Sequence, residues 1–162
     1  FAPALGDIER IQAVDLHVTT LAAKTIIESA PDLSWVYLQH TDDIGHRDGD
    51  GPVMDLAVRW VDARVLDLWS AVQAGQGKAK NEDWLVVVTT DHGRTSADGK
   101  GHGGQSERER TIWIASNSPR MVSNRADRAA IVDIYPSIVE HMRFDLPDDV
   151  AAQLEGQSLL SK

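Results

Sequence analysis

Apolar residues recur at helical spacing near both ends of the chain. Residues 14–30 carry apolar side chains on one face, and Pro31 follows them, so the pattern predicts a helix that stops there. Residues 131–142 show a similar pattern and are predicted to form a helix despite Pro136.

A third helical pattern lies in the middle of the chain. It starts near Pro52, a residue that favours the first turn of a helix. We expect Gly75 and Gly77 to end this helix. Its apolar residues alternate in steps of four and three, as in a long amphipathic helix: Met54, Val58, Val61, Val65, Leu68 and Val72.

Three short runs of β-favouring or apolar residues predict strands. They cover residues 35–38, 84–88 and 111–115, and the second is a continuous apolar run typical of a buried parallel strand. Polar loops are predicted for residues 40–51 and 91–109. Helices that alternate with strands in this order predict an α/β fold, a three-layer α/β/α sandwich with a mostly parallel sheet.

The composition narrows the possible partners and ligands. The 162 residues are 42% hydrophobic and 25% charged, as expected for one compact domain. The net charge of -9 argues against a nucleic-acid duplex as a partner. The apolar runs are too short to span a membrane. Because the chain has no cysteine, any metal ion would be bound by His, Asp or Glu.

The polar loops that follow the first two predicted strands contain most of the histidines. In α/β sheets, ligands bind at the carboxyl ends of the strands. Four of the six histidines fall in these loops: His40, His46, His92 and His102. Imidazole and carboxylate groups together suit zinc or another divalent first-row ion.

The spacing of these residues favours two metal-binding clusters. Asp42 and His46 are four positions apart and can close on one ion through a single turn of backbone. Asp91 and His92 are adjacent, and glycines flank His102 and allow its backbone to approach a crowded centre. Two such clusters would place two cations roughly 3.5–4 Å apart, within bridging distance of one phosphate group.

The ordered motifs resemble those of the alkaline phosphatase superfamily, and most closely its type I phosphodiesterase/nucleotide pyrophosphatase branch. The resemblance extends from about Tyr37 to Leu160. One difference is that many members place the last metal-binding histidine much farther after the Asp-His pair than His102 is here. The motifs are Asp42-x-x-x-His46, Thr90-Asp91-His92-Gly93 after an apolar run, His102 ten residues later, and a tail with Asp133-Ile134-Tyr135-Pro136-Ser137 and Leu154-Glu155-Gly156-Gln157-Ser158-Leu159.

The resemblance implies a centre with two divalent metal ions, for which zinc is favoured. Asp42, His46 and His102 would bind one zinc ion, and Asp91 and His92 would bind the other. The family completes the second site with a further Asp and uses a Ser or Thr nucleophile, and no residue of this chain matches either motif. We therefore expect residues 1–162 to be the C-terminal metal-binding part of one alkaline-phosphatase-like domain, with an N-terminal companion segment or chain.

The resemblance also implies hydrolysis of small-molecule phosphate esters, monoesters or diesters. The hydroxyl nucleophile would attack phosphorus in line from one zinc ion, while the other stabilises the leaving alkoxide and then activates a water. Taken alone, this chain is expected to be inactive. Family members of this type favour a secreted or extracytoplasmic location, whereas the residues themselves leave the compartment open.

Several neighbours of these motifs are predicted to lie outside the site. His40 is expected to be an exposed loop histidine, with contact to the substrate as the alternative, and Asp43 either supports a ligating imidazole or is a solvated charge. Thr90 and Ser106 receive no nucleophilic role. The basic residues of the second loop are predicted to form a solvated surface: Arg94, Lys100, Arg108 and Arg110.

Other functions stay open at this point. A manganese phosphomutase of the same fold has a related ligand pattern with further acidic ligands. A sulfatase is less favoured, because its calcium site prefers carboxylates and amides. A non-catalytic metal-binding module is the alternative from a different class.

Overall fold

The computed structural model describes residues 5–76, 82–121 and 128–161, which form two compact units. The first unit contains residues 5–76, 82–84 and 94–110. The second contains residues 85–93, 111–121 and 128–161.

Two long helices dominate the first unit, α1 (Leu5–Ser29) and α3 (Pro52–Gln76). Both confirm the periodicity, although α1 begins earlier than predicted. Helix α3 runs to Gln76, between the two glycines that were expected to end it, with Gly75 buried against α1. Gly77 lies outside the described residues. No helix in the described ranges combines the length and apolar character needed to cross a membrane.

A short helix, α2 (His40–Asp48), replaces the loop predicted for residues 40–51. Its residues are mostly polar, so hydrophobic periodicity gives no sign of it. The buried carboxylate of Asp15 on α1 accepts hydrogen bonds from Gln39 N at 3.0 and 3.1 Å and from His40 N at 2.8 Å. A carboxylate at a helix N-terminus satisfies otherwise unpaired N–H groups and complements the helix dipole. The residue that stabilises the start of α2 is therefore distant in sequence.

The hydrophobic core of the first unit lies where these three helices meet. Ile8 of α1, Ile44 of α2 and Ala57 of α3 are buried together, with Met54 packed against them. Burial of Ile44 is the main apolar contact that fixes α2 on the two longer helices.

The strand predicted at residues 35–38 is absent, because these residues have no strand pairing in the structure. Trp35 is 82% exposed and Tyr37 is 56% exposed. A strand requires a hydrogen-bonded neighbour, and none of the described segments supplies one.

The second unit contains two short strands, β1 (Val87–Thr89) and β2 (Ile114–Ser116). They pair antiparallel, with Val88 opposite Ala115. The prediction of parallel pairing was wrong for these strands, which form the only sheet among the described residues. Apolar content marks a strand as buried but carries no information on the direction of its neighbour.

The predicted helix at residues 131–142 is present as a 3-10 turn, Ile131–Asp133, followed by α5, Ile134–Met142. Pro136 lies in the first turn of α5, where no intrahelical N–H bond is lost. Two further short helices are α4 (Glu107–Arg110) in the first unit and α6 (Asp148–Ala151) in the second.

Hydrogen bonds hold the tail against the start of α5. The buried carboxylate of Asp133 accepts from Gln157 N at 2.7 Å and from Ala130 N at 2.9 Å. Ser137 Oγ donates to Asp133 O at 2.7 Å and accepts from Leu159 N at 2.9 Å. The two tail motifs of the sequence are therefore joined to each other by hydrogen bonds.

Candidate metal centre

Helix α2 places Asp42 and His46 on the same face, one turn apart. Asp42 Oδ2 lies 3.4 Å from His46 Nε2, and both side chains are 27% exposed. Residues four positions apart on a helix are neighbours. The D-x-x-x-H spacing therefore brings a carboxylate and an imidazole together at one edge of the first unit.

The loop that follows α3 in the first unit brings His102 to the same place. His102 Nε2 lies 3.0 Å from His46 Nε2 and 3.7 Å from Asp42 Oδ1. Two hydrogen bonds close this loop, Thr95 N to Gly101 O at 2.9 Å and Gly101 N to Thr95 Oγ1 at 3.1 Å. A Cβ atom on Gly101 would lie 3.0 Å from the Thr95 side chain, so glycine allows this close approach.

The three side chains fit a zinc site with an open position. Ligand atoms at about 2.0–2.1 Å from a tetrahedral zinc ion are about 3.3 Å apart. His46 Nε2 and His102 Nε2 are 3.0 Å apart, and they lie 3.4 Å from Asp42 Oδ2 and 3.7 Å from Asp42 Oδ1, respectively, close to that spacing. Three protein ligands plus one open position is the arrangement of catalytic zinc sites.

The contact between His46 and His102 also permits a simpler explanation. A neutral imidazole can donate a hydrogen bond to a second imidazole, and a separation of 3.0 Å is suitable for that bond. The carboxylate of Asp42 beside both rings adds a third donor atom that the histidine pair alone does not require. Metal binding by this set accordingly stays a prediction.

The second predicted pair, Asp91 and His92, follows β1 in the second unit. Asp91 Oδ1 accepts a hydrogen bond from His92 N at 3.1 Å and lies 3.7 Å from His92 Nε2. His92 Nδ1 is 2.9 Å from Gly93 O. An Nδ1–H bond to a backbone carbonyl orients an imidazole and leaves Nε2 as the metal-binding nitrogen. The pair is thus arranged as two adjacent ligands, and their role in a second ion site stays a prediction.

Arg94 is a residue of this site that the sequence analysis missed. Its Nη2 atom donates to Asp42 O at 2.8 Å and also to the Asp42 carboxylate. The expectation of a solvated surface was wrong for Arg94, since its side chain is only 13% exposed. The sequence offered one indication of this role, since Arg94 directly follows the Thr-Asp-His-Gly motif. Its contact with Asp42 could not be predicted, because the two residues are far apart in sequence.

The prediction for His40 was also wrong, because this histidine is buried. It is 4% exposed and packs edge-on against Trp60, with ring centroids 5.1 Å apart. Burial lowers the pKa of His40 below 6.5, and the carboxylates of Asp15 and Asp43 partly oppose that shift. Asp43 is itself buried and accepts a hydrogen bond from Gln39 Nε2 at 3.2 Å, so it is no solvated charge.

Charged side chains brace the loop that carries His102. Arg108 donates to Asp50 at 2.7 Å and to Thr95 O at 2.8 Å. The hydrogen bond from Arg108 lowers the pKa of Asp50. Glu109 accepts from Gly104 N at 2.9 Å and from Ser106, and the bond from the Ser106 hydroxyl is the main cause of its lowered pKa.

An open depression of about 550 Å³ adjoins the candidate ligands of the first unit. Its lining contains no Phe, Tyr or Trp side chain. The lining residues are His46, Thr95, Ala97, Asp98, Lys100, Gly101 and His102. A ligand bound here would contact two of the three candidate zinc ligands directly.

Comparison with known families gives one match. The family model described as type I phosphodiesterase / nucleotide pyrophosphatase matches residues 6–159. No curated protein and no solved structure matches the chain significantly. The matched range includes all five predicted metal ligands and the tail motifs, which confirms the resemblance drawn from the sequence.

Proposed function

The chain belongs to the type I phosphodiesterase / nucleotide pyrophosphatase family, and from this premise we propose that it supplies the metal-binding part of a two-zinc hydrolase of phosphate esters. The family supports a phosphoric-ester hydrolase in general and suggests an alkaline-phosphatase-like α/β fold. The two-zinc centre, the hydroxyl nucleophile and the mostly parallel sandwich of the complete domain belong to the proposal.

The cluster of Asp42, His46 and His102 carries this proposal. Two separate segments of the first unit contribute these side chains: the imidazole nitrogens are 3.0 Å apart, and the two oxygens of the Asp42 carboxylate lie 3.4 Å from His46 and 3.7 Å from His102. The charge of one carboxylate and two neutral imidazoles suits a divalent cation. Because the open depression begins at His46 and His102, a substrate oxygen can approach an ion bound there.

Asp91 and His92 are proposed to hold the second ion. Zinc bound at the two sites supplies Lewis-acid stabilisation of the attacking and leaving oxygens. The protein orients the side chains that would bind these ions. The bond between His92 Nδ1 and Gly93 O orients the His92 ring, and the α2 backbone fixes Asp42 relative to His46. A Ser or Thr hydroxyl and a further Asp are proposed to come from a companion segment, since no residue of this chain matches those motifs.

Metal binding by the full chain tests the proposal most directly. We expect native mass spectrometry of the zinc-loaded protein to show one tightly held ion per chain. The double variant His46→Ala/His102→Ala should lose this ion, because two of its three protein ligands are gone. His17→Ala is the matched control, since His17 is exposed on α1 and belongs to no candidate cluster.

Phosphodiesterase assays on the same samples address the catalytic part of the proposal. We expect the chain alone to bind zinc without hydrolysing bis(p-nitrophenyl) phosphate, and activity to require the companion segment. Zinc binding with no activity in the presence of that segment would identify a non-catalytic metal-binding module. Failure of the unaltered chain to bind zinc or manganese would contradict the proposed function.

A further inference from the structure

The guanidinium group of Arg94 connects the two segments that carry the candidate zinc ligands of the first unit. Its Nη2 atom donates to the backbone oxygen of Asp42 at 2.8 Å and to the carboxylate of the same residue. Its Nη1 atom makes a longer contact of 3.5 Å with Lys100 O, two positions before His102. Arg94 therefore contacts both α2 and the loop of His102.

The sequence of α2 leaves space for this guanidinium group. A Cβ atom on Gly45 would lie 2.2 Å from Arg94 Cζ, far inside van der Waals contact. Gly45 has a helical backbone within α2, where glycine is otherwise unfavourable compared with alanine. Close packing against Arg94 is thus a physical reason for glycine at this position.

The two carboxylate oxygens of Asp42 face different partners. Arg94 bonds to Oδ1, which also lies 3.7 Å from His102 Nε2, whereas Oδ2 lies 3.4 Å from His46 Nε2. A carboxylate without such a partner rotates freely about its side-chain bonds, and fixing it reduces the entropy lost when an ion binds. Arg94 holds Asp42 in the orientation that it shares with the two histidines.

We propose that Arg94 is a positioning residue for the zinc site of Asp42, His46 and His102, an inference that rests on the proposed function. The positive charge of Arg94 opposes a bound cation, but that charge is paired with the carboxylate of Asp42. Loss of a group that orients a metal ligand typically weakens binding roughly 10–100-fold. We expect the orienting effect to exceed the repulsion.

Zinc affinity of the full chain, measured by competition with a chromophoric chelator, tests this inference. We expect Arg94→Ala to bind zinc roughly 10–100-fold more weakly than the unaltered chain. Arg94→Lys should recover only part of the affinity, because an ammonium group lacks the planar fork of guanidinium. Added methylguanidinium should restore affinity to Arg94→Ala, a response that general loss of structure would not give.

A second variant tests the same contact from the other side. Gly45→Ala should displace Arg94 and weaken zinc binding in the unaltered background. In the Arg94→Ala background it should have no further effect, because residues that act through one contact are not additive. Alanine favours the helix, so circular dichroism should show α2 and the rest of the fold retained.

Arg120→Ala is the matched control for these variants. Arg120 also joins two segments of the chain, through Glu140 at 2.9 Å and Ser161 O at 2.9 Å, but its contacts do not include a candidate ligand. Its zinc affinity should equal that of the unaltered chain. Equal or tighter zinc binding by folded Arg94→Ala would overturn the inference and leave the proposed function intact, whereas absence of zinc binding by the unaltered chain would overturn both.

Discussion

Asp15 and Asp42 are both carboxylates in helices of the first unit, but their partners give them different tasks. Asp42 faces two imidazole rings and a guanidinium group. Asp15 is buried and accepts hydrogen bonds from backbone N–H groups at the start of α2, at residues 39 and 40. Asp15 is therefore a structural support for the helix that carries two candidate ligands.

Replacing Asp15 should loosen α2. Asn has one acceptor oxygen and no charge, so Asp15→Asn loses one acceptor and the favourable interaction with the helix dipole. We expect the free energy of unfolding to fall by about 1–3 kcal/mol, the typical effect of a lost buried hydrogen bond or cap. Asp67→Asn, whose side chain is 52% exposed in a surface ion pair, should change stability by less than about 1 kcal/mol. Urea unfolding monitored by tryptophan fluorescence compares the two, and equal effects would contradict the capping role.

The burial of His40 predicts a pH dependence of stability. Its folded-state pKa is lowered below 6.5, mainly by desolvation. Between the lowered pKa and 6.5 the unfolded chain binds more protons at this residue, so stability should fall as pH decreases through that window. In a chelator-containing buffer, His40→Gln should show a weaker decline in unfolding free energy from about pH 7.5 to about pH 5.5 than the unaltered chain, because Gln does not titrate. Parallel pH profiles of the two proteins would show that His40 does not contribute.

The sequence predicts part of this site, and the reason differs from residue to residue. The spacing of Asp42 and His46 corresponds to one helical turn, so local pattern alone placed them together. His102 was predicted by family resemblance, and its distance of 3.0 Å from His46 depends on a loop closed by Thr95 and Gly101. Arg94 escaped prediction because its partner Asp42 is 52 positions away, and side-chain pairing at that separation leaves no local pattern.

Among the elements, the helices were easier to predict than the strands. Helices α1 and α3 are each 25 residues long, repeat an apolar pattern over much of that length, and have internal hydrogen bonds. Strands β1 and β2 have three residues each and exist only through pairing with one another. The direction of that pairing depends on the connection between them, and the apolar pattern does not encode it.

The hydrogen-bonded contact between α5 and the tail leaves no space for a side chain at Gly156. A Cβ atom on Gly156 would lie 2.0 Å from Val132 O, and this backbone oxygen cannot rotate away as a side chain would. Gly156→Ala should therefore shift the tail, weaken the bond from Gln157 N to Asp133 and destabilise the protein by about 1–3 kcal/mol.

Gly6→Ala provides the control for this prediction. A Cβ atom on Gly6 of α1 would meet nothing within 4 Å, so alanine should be neutral or slightly stabilising in that helix. Thermal unfolding by circular dichroism compares the two variants. A Gly156→Ala protein as stable as Gly6→Ala would show that the tail adapts without cost.

At the scale of the whole molecule, the candidate ligands are distributed unequally between the two units. The first unit contributes Asp42, His46 and His102, and the second contributes Asp91 and His92. Zinc sites of high affinity use at least three protein ligands, so two ligands from this chain alone should give a weak site. An overall charge of -9 attracts divalent cations non-specifically. Variants of the candidate ligands are therefore needed to distinguish ions bound at the two sites from ions attracted by the overall charge.

We therefore expect two phases when the full chain is titrated with zinc against chelators of graded strength. His102→Ala should remove the tight phase and retain the weak one, since it removes a ligand of the first unit only. Asp91→Asn/His92→Ala should remove the weak phase and leave the affinity of the tight phase unchanged. Addition of a companion segment with the further Asp ligand should convert the weak phase to a tight one, because a third protein ligand completes that site. A single phase that both variants abolish together would mean that all five residues hold one ion, and the two-ion centre would be wrong.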